Sequence, residues 1–221
     1  MTLVGFGCSF TYGSELIDPK LLDVWDRHTD NTLYREQCSW LGQLAQRLNT
    51  KAINLAEPAS SNYSIQEKFS DYVHDNDCIS TAICVGWTSH MRHSWWSDAD
   101  SRWVHDGFIR HEQEELFKDS FKEWLLLSHE RSINVTRSAK LFVSAVCEQR
   151  NIPLIQFDAL HNIKSDITPF HQQGRNMYEV LEQEGKRLDK EFLSLGGHPN
   201  EAGHAHYAKL LHGWIKAKNL V

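Results

Sequence analysis

Two short segments at opposite ends of the chain hold the residue types that nucleophilic catalysis needs. Gly7-Cys8-Ser9-Phe10-Thr11-Tyr12-Gly13 is a small polar turn bracketed by glycines, and His198-Pro199-Asn200-Glu201-Ala202-Gly203-His204 lies near the carboxyl end. A serine hydroxyl is a poor nucleophile until a base takes its proton, and the usual base is a neutral imidazole oriented by a third group. Ser9 is therefore the candidate nucleophile and His198 the candidate base, although the two can meet only through the fold. For the third group the candidates are a backbone carbonyl or an acid from elsewhere, with Asp158 ahead of Glu201. Taken alone, a turn serine and a loop histidine are equally ordinary structural residues.

The elements that must position these groups follow from periodicity. Residues 2–6 read as a short buried strand that delivers Ser9 to its carboxyl end, where open α/β sheets place ligand and catalytic groups. Residues 51–56 form a second strand, followed by the small, polar turn 57–62, from which Asn62 caps a helix running through Val73. Residues 78–86 are a third strand, apolar enough toward its end for a sheet covered on both faces. Residues 152–157 are a fourth, with Asp158 just past its end. Trp40, Leu41, Leu44, Ala45 and Leu48 make a helical stripe within 34–48 that starts at Cys38 or Ser39. Helices are also expected at 112–129, at 134–149, over part of 177–193 with a break at Glu184-Gly185, and at 200–218 with Asn200 as cap. Strands alternating with helices imply an α/β fold, a mostly parallel sheet between helical layers, with residues 1–221 as one domain.

Composition bounds the functions on offer. The chain has 221 residues, 41% of them hydrophobic and 24% charged, so it can bury a sizeable core. A net charge of −6 and the lack of a basic patch argue against nucleic-acid binding but leave small-molecule and glycan substrates open. No apolar run approaches a membrane span, and no basic, apolar leader precedes the first strand, so a cytoplasmic location without membrane association is expected. Five cysteines with no CxxC spacing suit a reducing compartment.

Residues 87–109 break the rhythm, with Trp87, Trp95, Trp96 and Trp103 interleaved among His90, Arg92, His93 and His105. This reads as a long irregular insertion after the third strand. It is either a lid with its own small core or an aromatic platform for a sugar ring or acyl group, and Arg92 could grip an anionic group. Trp87, Arg92, Trp95, Trp96 and Asn62 are accordingly the candidate substrate contacts. The histidines near 198 and 90 raise a metal-dependent hydrolase as a lesser alternative. His204 and His206 would point to different sides of a helix and no HExxH is present, so neither metal nor cofactor is expected.

The opening GCSFTYG and the closing HPNEAGH resemble the first and last motif blocks of the SGNH (GDSL-like) hydrolase family. The resemblance implies a three-layer, flavodoxin-like fold and an esterase, lipase, thioesterase or carbohydrate deacetylase activity. It places the nucleophile on Ser9 and the base on His198. It also implies an oxyanion hole from the Ser9 N–H, the Ala59 N–H, where the family has glycine, and Thr88, where it has asparagine. The family's aspartate before the serine is Cys8 here, and the one three residues before the histidine is Leu195. Two classes of function follow: a serine ester hydrolase, acting on O-acyl groups of a small molecule or carbohydrate, and a non-catalytic binding or structural protein that keeps the fold.

Overall fold

The structure is a computed structural model that describes residues 1–21, 25, 27–97, 102–106, 118–160, 170 and 174–220, with only the backbone course of the strands and helix described between 93 and 129. Among these residues six strands form: β1 (Thr2–Gly7), β2 (Lys51–Asn54), β3 (Thr81–Trp87), β4 (His93–Ser97), β5 (Arg102–Asp106) and β6 (Leu154–Asp158). Four of them make an all-parallel sheet in the order β2-β1-β3-β6, with Thr2 opposite both Lys51 and Thr81 and Ile83 opposite Leu154. That is the flavodoxin-like order, and the chain reverses its direction of travel across the sheet between β1 and β3. The carboxyl ends of those two strands, carrying Ser9 and Thr88, flank this switch point.

Alternation along the strands sends side chains to two separate cores. Leu3, Ala82, Cys84, Ile155 and Phe157 face one side, covered by α3 (Trp40–Arg47), α6 (Met177–Leu188) and α7 (Glu201–Lys218). Val4, Phe6, Ile83, Val85 and Trp87 face the other, covered by α4 (Asn62–Asp75) and α5 (Lys118–Gln149). The three-layer α/β/α arrangement is thus as the sequence implied.

Several boundaries differ, each for a local reason. The stripe at 34–48 is two helices, α2 (Thr32–Cys38) and α3, because Ser39 turns extended (ψ 157°) and uses its hydroxyl to cap Gly42 N–H. Ser61, not Asn62, caps α4, in a reciprocal capping box with Ser64. No glycine or proline separates the helices expected at 112–129 and 134–149, and they run together as α5; residues 112–117 lie outside the described residues. Gly185 does not break α6, where it sits buried against the Lys190 carbonyl. The insertion is not wholly irregular either, since β4 and β5 pair as an antiparallel hairpin. Asn200 caps α7 through Gly203 N–H, as expected. Among the described residues no helix is long and apolar enough to cross a membrane.

Candidate active site

The nucleophile turn is built by close backbone packing. β1 ends at Gly7, and Ser9–Tyr12 form the single-turn helix α1, closed by Gly13 in a left-handed conformation (φ 87°). A Cβ at Gly7 or Gly86 would sit 2.2 or 2.5 Å from Thr11 Oγ1, so the two strand-end glycines make room for the Thr11 side chain. Asn54, at the end of β2, donates to the Thr11 carbonyl at 2.9 Å and fixes the turn from the far side. Cys8 packs in the hydrophobic core beside the Ser9 turn. Ser9 Oγ is buried and makes no hydrogen bond among the described residues. Its N–H lies in the first helical turn, where backbone donors lack an intrahelical acceptor.

The base arrives on a second tight turn. Leu193 and Pro199 form an antiparallel bridge, Ser194 N–H donates to the His198 carbonyl at 2.8 Å, and Gly197 adopts φ 82° between them. Gly196 and Gly197 thus form this tight turn, and the His198 ring lies 5.5 Å, centroid to centroid, from the ring of Phe10, the neighbour of Ser9. His198 Nδ1 is 2.9 Å from Glu15 Oε1. The Ser194 hydroxyl donates to the other oxygen, Oε2, and Gly196 N–H also donates to this carboxylate. Burial alone would raise the Glu15 carboxyl, but the Ser194 and His198 bonds, the His198 charge and the Gly196 N–H outweigh it and hold the group below its ordinary value. Glu15 itself takes a left-handed backbone (φ 67°), uncommon for a residue with a side chain. The following loop is pinned by the buried Asn31, which donates to the Leu16 carbonyl at 2.7 Å and accepts from Asp18 N–H at 2.8 Å.

Asp158 is elsewhere, and this corrects the expectation that it orients the imidazole. Its carboxylate lies 2.5 Å from Lys140 Nζ of α5, with both side chains almost wholly buried. Strand order put Asp158 on the proper edge, but a helix from the opposite layer supplies its partner, while Glu15 occupies the His198 nitrogen. Glu201, the lesser candidate, accepts from the Tyr34 hydroxyl at 2.7 Å. Nothing in the strand pattern marks Glu15. The available signal was its place six residues after Ser9, on the same turn, together with the lack of an acid at 195.

Just past the end of β3, the strand beside β1, Thr88 N–H donates to Asn62 Oδ1 at 2.8 Å, and Asn62 Nδ2 donates to the Thr88 carbonyl and to Thr136 Oγ1, each at 3.0 Å. Asn62 is therefore spent on bracing Thr88 between α4 and α5, a correction to its reading as a substrate contact. The Thr88 hydroxyl is buried with no partner among the described residues, as is the hydroxyl of Ser60. Ala59 holds φ 64°, the left-handed conformation that glycine enters freely and alanine enters at a cost of about 1–2 kcal/mol. Trp87 is also reassigned: it is fully buried in the α4/α5 core and its indole donates to Gln156 Oε1 at 3.0 Å. Arg92 is half-buried in the turn after β3, its N–H on the Ser89 carbonyl at 3.1 Å. Trp95 and Trp96 stand in β4 opposite Val104 and Trp103, and their side chains lie outside the described residues.

The C-terminal histidines have separate jobs. His206 stacks on Phe192, while His204 is fully buried and its Nδ1 accepts from Trp40 N–H at 3.0 Å, capping the start of α3. Among the described residues no group of three or more histidine, cysteine, aspartate or glutamate side chains is placed to hold a metal ion. Burial, with the nearby His198 charge second, pushes His204 down to about 3. A histidine that folds neutral takes up protons only on unfolding, so its contribution is full above about 6.5 and is lost as pH falls toward 3. Urea unfolding is expected to show a stability that falls over this window by at most about 1.4 kcal/mol per pH unit from this group. His204→Asn, which keeps an acceptor for Trp40, should flatten the slope; an unchanged slope would remove His204 from the account.

No protein-family model matches the sequence, and no curated protein matches it. Solved structures do match in fold. An acetyl xylan esterase from the rumen bacterium Butyrivibrio proteoclasticus superposes with a TM-score of 0.51 at 12% identity, over 98% of this chain and 64% of that one. A family two carbohydrate esterase from Clostridium thermocellum, solved with cellohexaose, gives 0.49 at 14% identity over 99% and 64%. A member of the lipolytic G-D-S-L family from Veillonella parvula gives 0.37 at 13% identity over 98% and 97%. The chain thus spans under two thirds of the length of the two carbohydrate esterases. The first of these superpositions, with the parallel strand order, shows that the chain shares its α/β fold with that esterase.

Proposed function

We propose that the chain is a serine ester hydrolase in which Ser9 is the nucleophile and His198 the base. The observation that supports this most is the convergence of two segments 189 positions apart on one sheet edge, the His198 ring against Phe10 and its Nδ1 on Glu15, both on the nucleophile's own turn. Ser9 Oγ attacks an acyl carbonyl while His198 Nε2 takes its proton. The new O–C bond forms, negative charge collects on the former carbonyl oxygen, and the N–H groups of Ser9 and Ala59 and the Thr88 hydroxyl donate to it. His198 returns the proton to the leaving alcohol as the ester C–O bond breaks. Water then attacks the acyl-enzyme, giving its proton through His198 to Ser9, and the acid departs.

An O-acyl group on a carbohydrate is the proposed substrate class. Support comes from the tryptophan-rich hairpin beside the β3 end of the site, since an aromatic surface suits a sugar ring. Arg92 stands at the root of that hairpin. One observation favours the rival, a binding protein that does not turn its ligand over: Ser9 Oγ is buried and makes no bond to His198. Catalytic hydrogen bonds often close only in the substrate complex, which keeps the hydrolase reading ahead. Hydrolysis of p-nitrophenyl acetate by the full chain, lost in Ser9→Ala and in His198→Ala, is the deciding measurement.

A further inference from the structure

Resting on the Ser9–His198 reading, we infer that Glu15 is the positioning carboxylate of this site, supplied by the nucleophile's own turn. Leu195, at the position where the resemblance implies an acid, is fully exposed. Glu15 reaches the ring instead, at 2.9 Å from Nδ1.

Three features show that the contact is built. The left-handed backbone at Glu15 turns its side chain away from the regular course of the chain. The Ser194 hydroxyl donates to Oε2, leaving Oε1 for the imidazole. A Cβ on Gly196 would lie 1.7 Å from Oε1 and 2.6 Å from Cδ, so only glycine at 196 admits the carboxylate at this depth. An ionised carboxylate accepts and cannot donate, so Nδ1 must carry the ring proton and Nε2 keeps the lone pair that takes the proton from Ser9. The Glu15 side chain is 34% exposed, and a pair so open adds little to stability. Its value lies in fixing the tautomer and the ring's orientation.

Glu15→Gln separates this role from a structural one. The amide oxygen is drawn to the Ser194 hydroxyl, so the NH2 group faces Nδ1 and donates to it. The ring is then driven to the Nε2–H tautomer, which has no lone pair toward Ser9. With p-nitrophenyl acetate, kcat should fall about 10²- to 10⁴-fold with KM little changed. The ring ¹⁵N spectrum of His198 should change from Nδ1–H to Nε2–H. Gly196→Ala displaces the carboxylate without touching its charge, and should lower kcat about 10²-fold while the melting temperature stays near that of the wild type. A Glu15→Gln variant with near-native kcat and an unchanged tautomer overturns the assignment. A wild type that hydrolyses no ester overturns the ester-hydrolase reading alone, because the tautomer measurement then decides Glu15 by itself.

Discussion

Ser9→Ala is expected to lower kcat for p-nitrophenyl acetate by about 10⁴- to 10⁶-fold, and His198→Ala by a similar factor, while the double variant loses no more than either single one. The non-additivity carries the argument. A nucleophile without its base and a base without its nucleophile are equally idle, so removing the second group costs nothing further. In the proposed mechanism, what would remain is the stabilisation of charge by the Ser9 and Ala59 N–H groups and the Thr88 hydroxyl, none of which the substitutions delete. Losses that multiply would mean that the two residues act on different steps. Full activity in Ser9→Ala would remove the serine mechanism. The Cys8→Ala variant would then show whether the neighbouring thiol, which packs in the hydrophobic core, had taken its place. Thr88→Val is a useful companion, because it deletes one buried hydroxyl and leaves the N–H that Asn62 holds.

Ser9 and His198 stood out as candidates only through the resemblance of their two local segments to a family's motif blocks, since a turn serine and a loop histidine are ordinary residues by themselves. A strand running into a glycine-bracketed turn, and a histidine followed by a helix cap, can be read within a few residues. The sheet was legible locally: short apolar runs bounded by turn residues place β1, β2, β3 and β6 to within a few residues. Glu15 was not, because its role depends on a backbone inversion at φ 67° and on a missing Cβ at Gly196, nearly the whole chain away. Asn62 shows the opposite failure. It read as a helix cap and a substrate contact, yet three hydrogen bonds consume it, two to the Thr88 backbone after β3 and one to Thr136 of α5, and only the tertiary fold brings those partners together. Trp87 looked like the first residue of an aromatic surface. It is instead the last inward residue of β3, on the same face as Ile83 and Val85.

Asp158 marks the limit of reading a carboxylate from strand order, and it carries the largest expected effect on stability. It closes β6 opposite Trp87, and Lys140 reaches it from α5. Both charges are almost out of water, so the pair offsets a desolvation penalty rather than adding much of its own. Burial pulls Lys140 below its ordinary value, and the Asp158 charge and bond draw it part of the way back. Asp158→Asn removes that support and leaves a buried ammonium, which should cost about 3–5 kcal/mol. At about 2–4 °C per kcal/mol for a chain of this size, the melting temperature should fall by roughly 10 °C. The sign of the pH dependence follows. With its pKa depressed further in the folded variant, Lys140 binds fewer protons folded than unfolded, so stability rises as pH climbs toward 10.5. Lys140→Met with Asp158→Leu removes both charges and fills the space, and it should recover most of the loss. If Asp158→Asn melts like the wild type at neutral pH, Lys140 finds another acceptor and the pair does not hold α5 to the sheet. If instead the variant folds normally yet loses esterase activity, Asp158 acts on the site itself, and the division of labour between the Glu15 and Asp158 carboxylates is wrong.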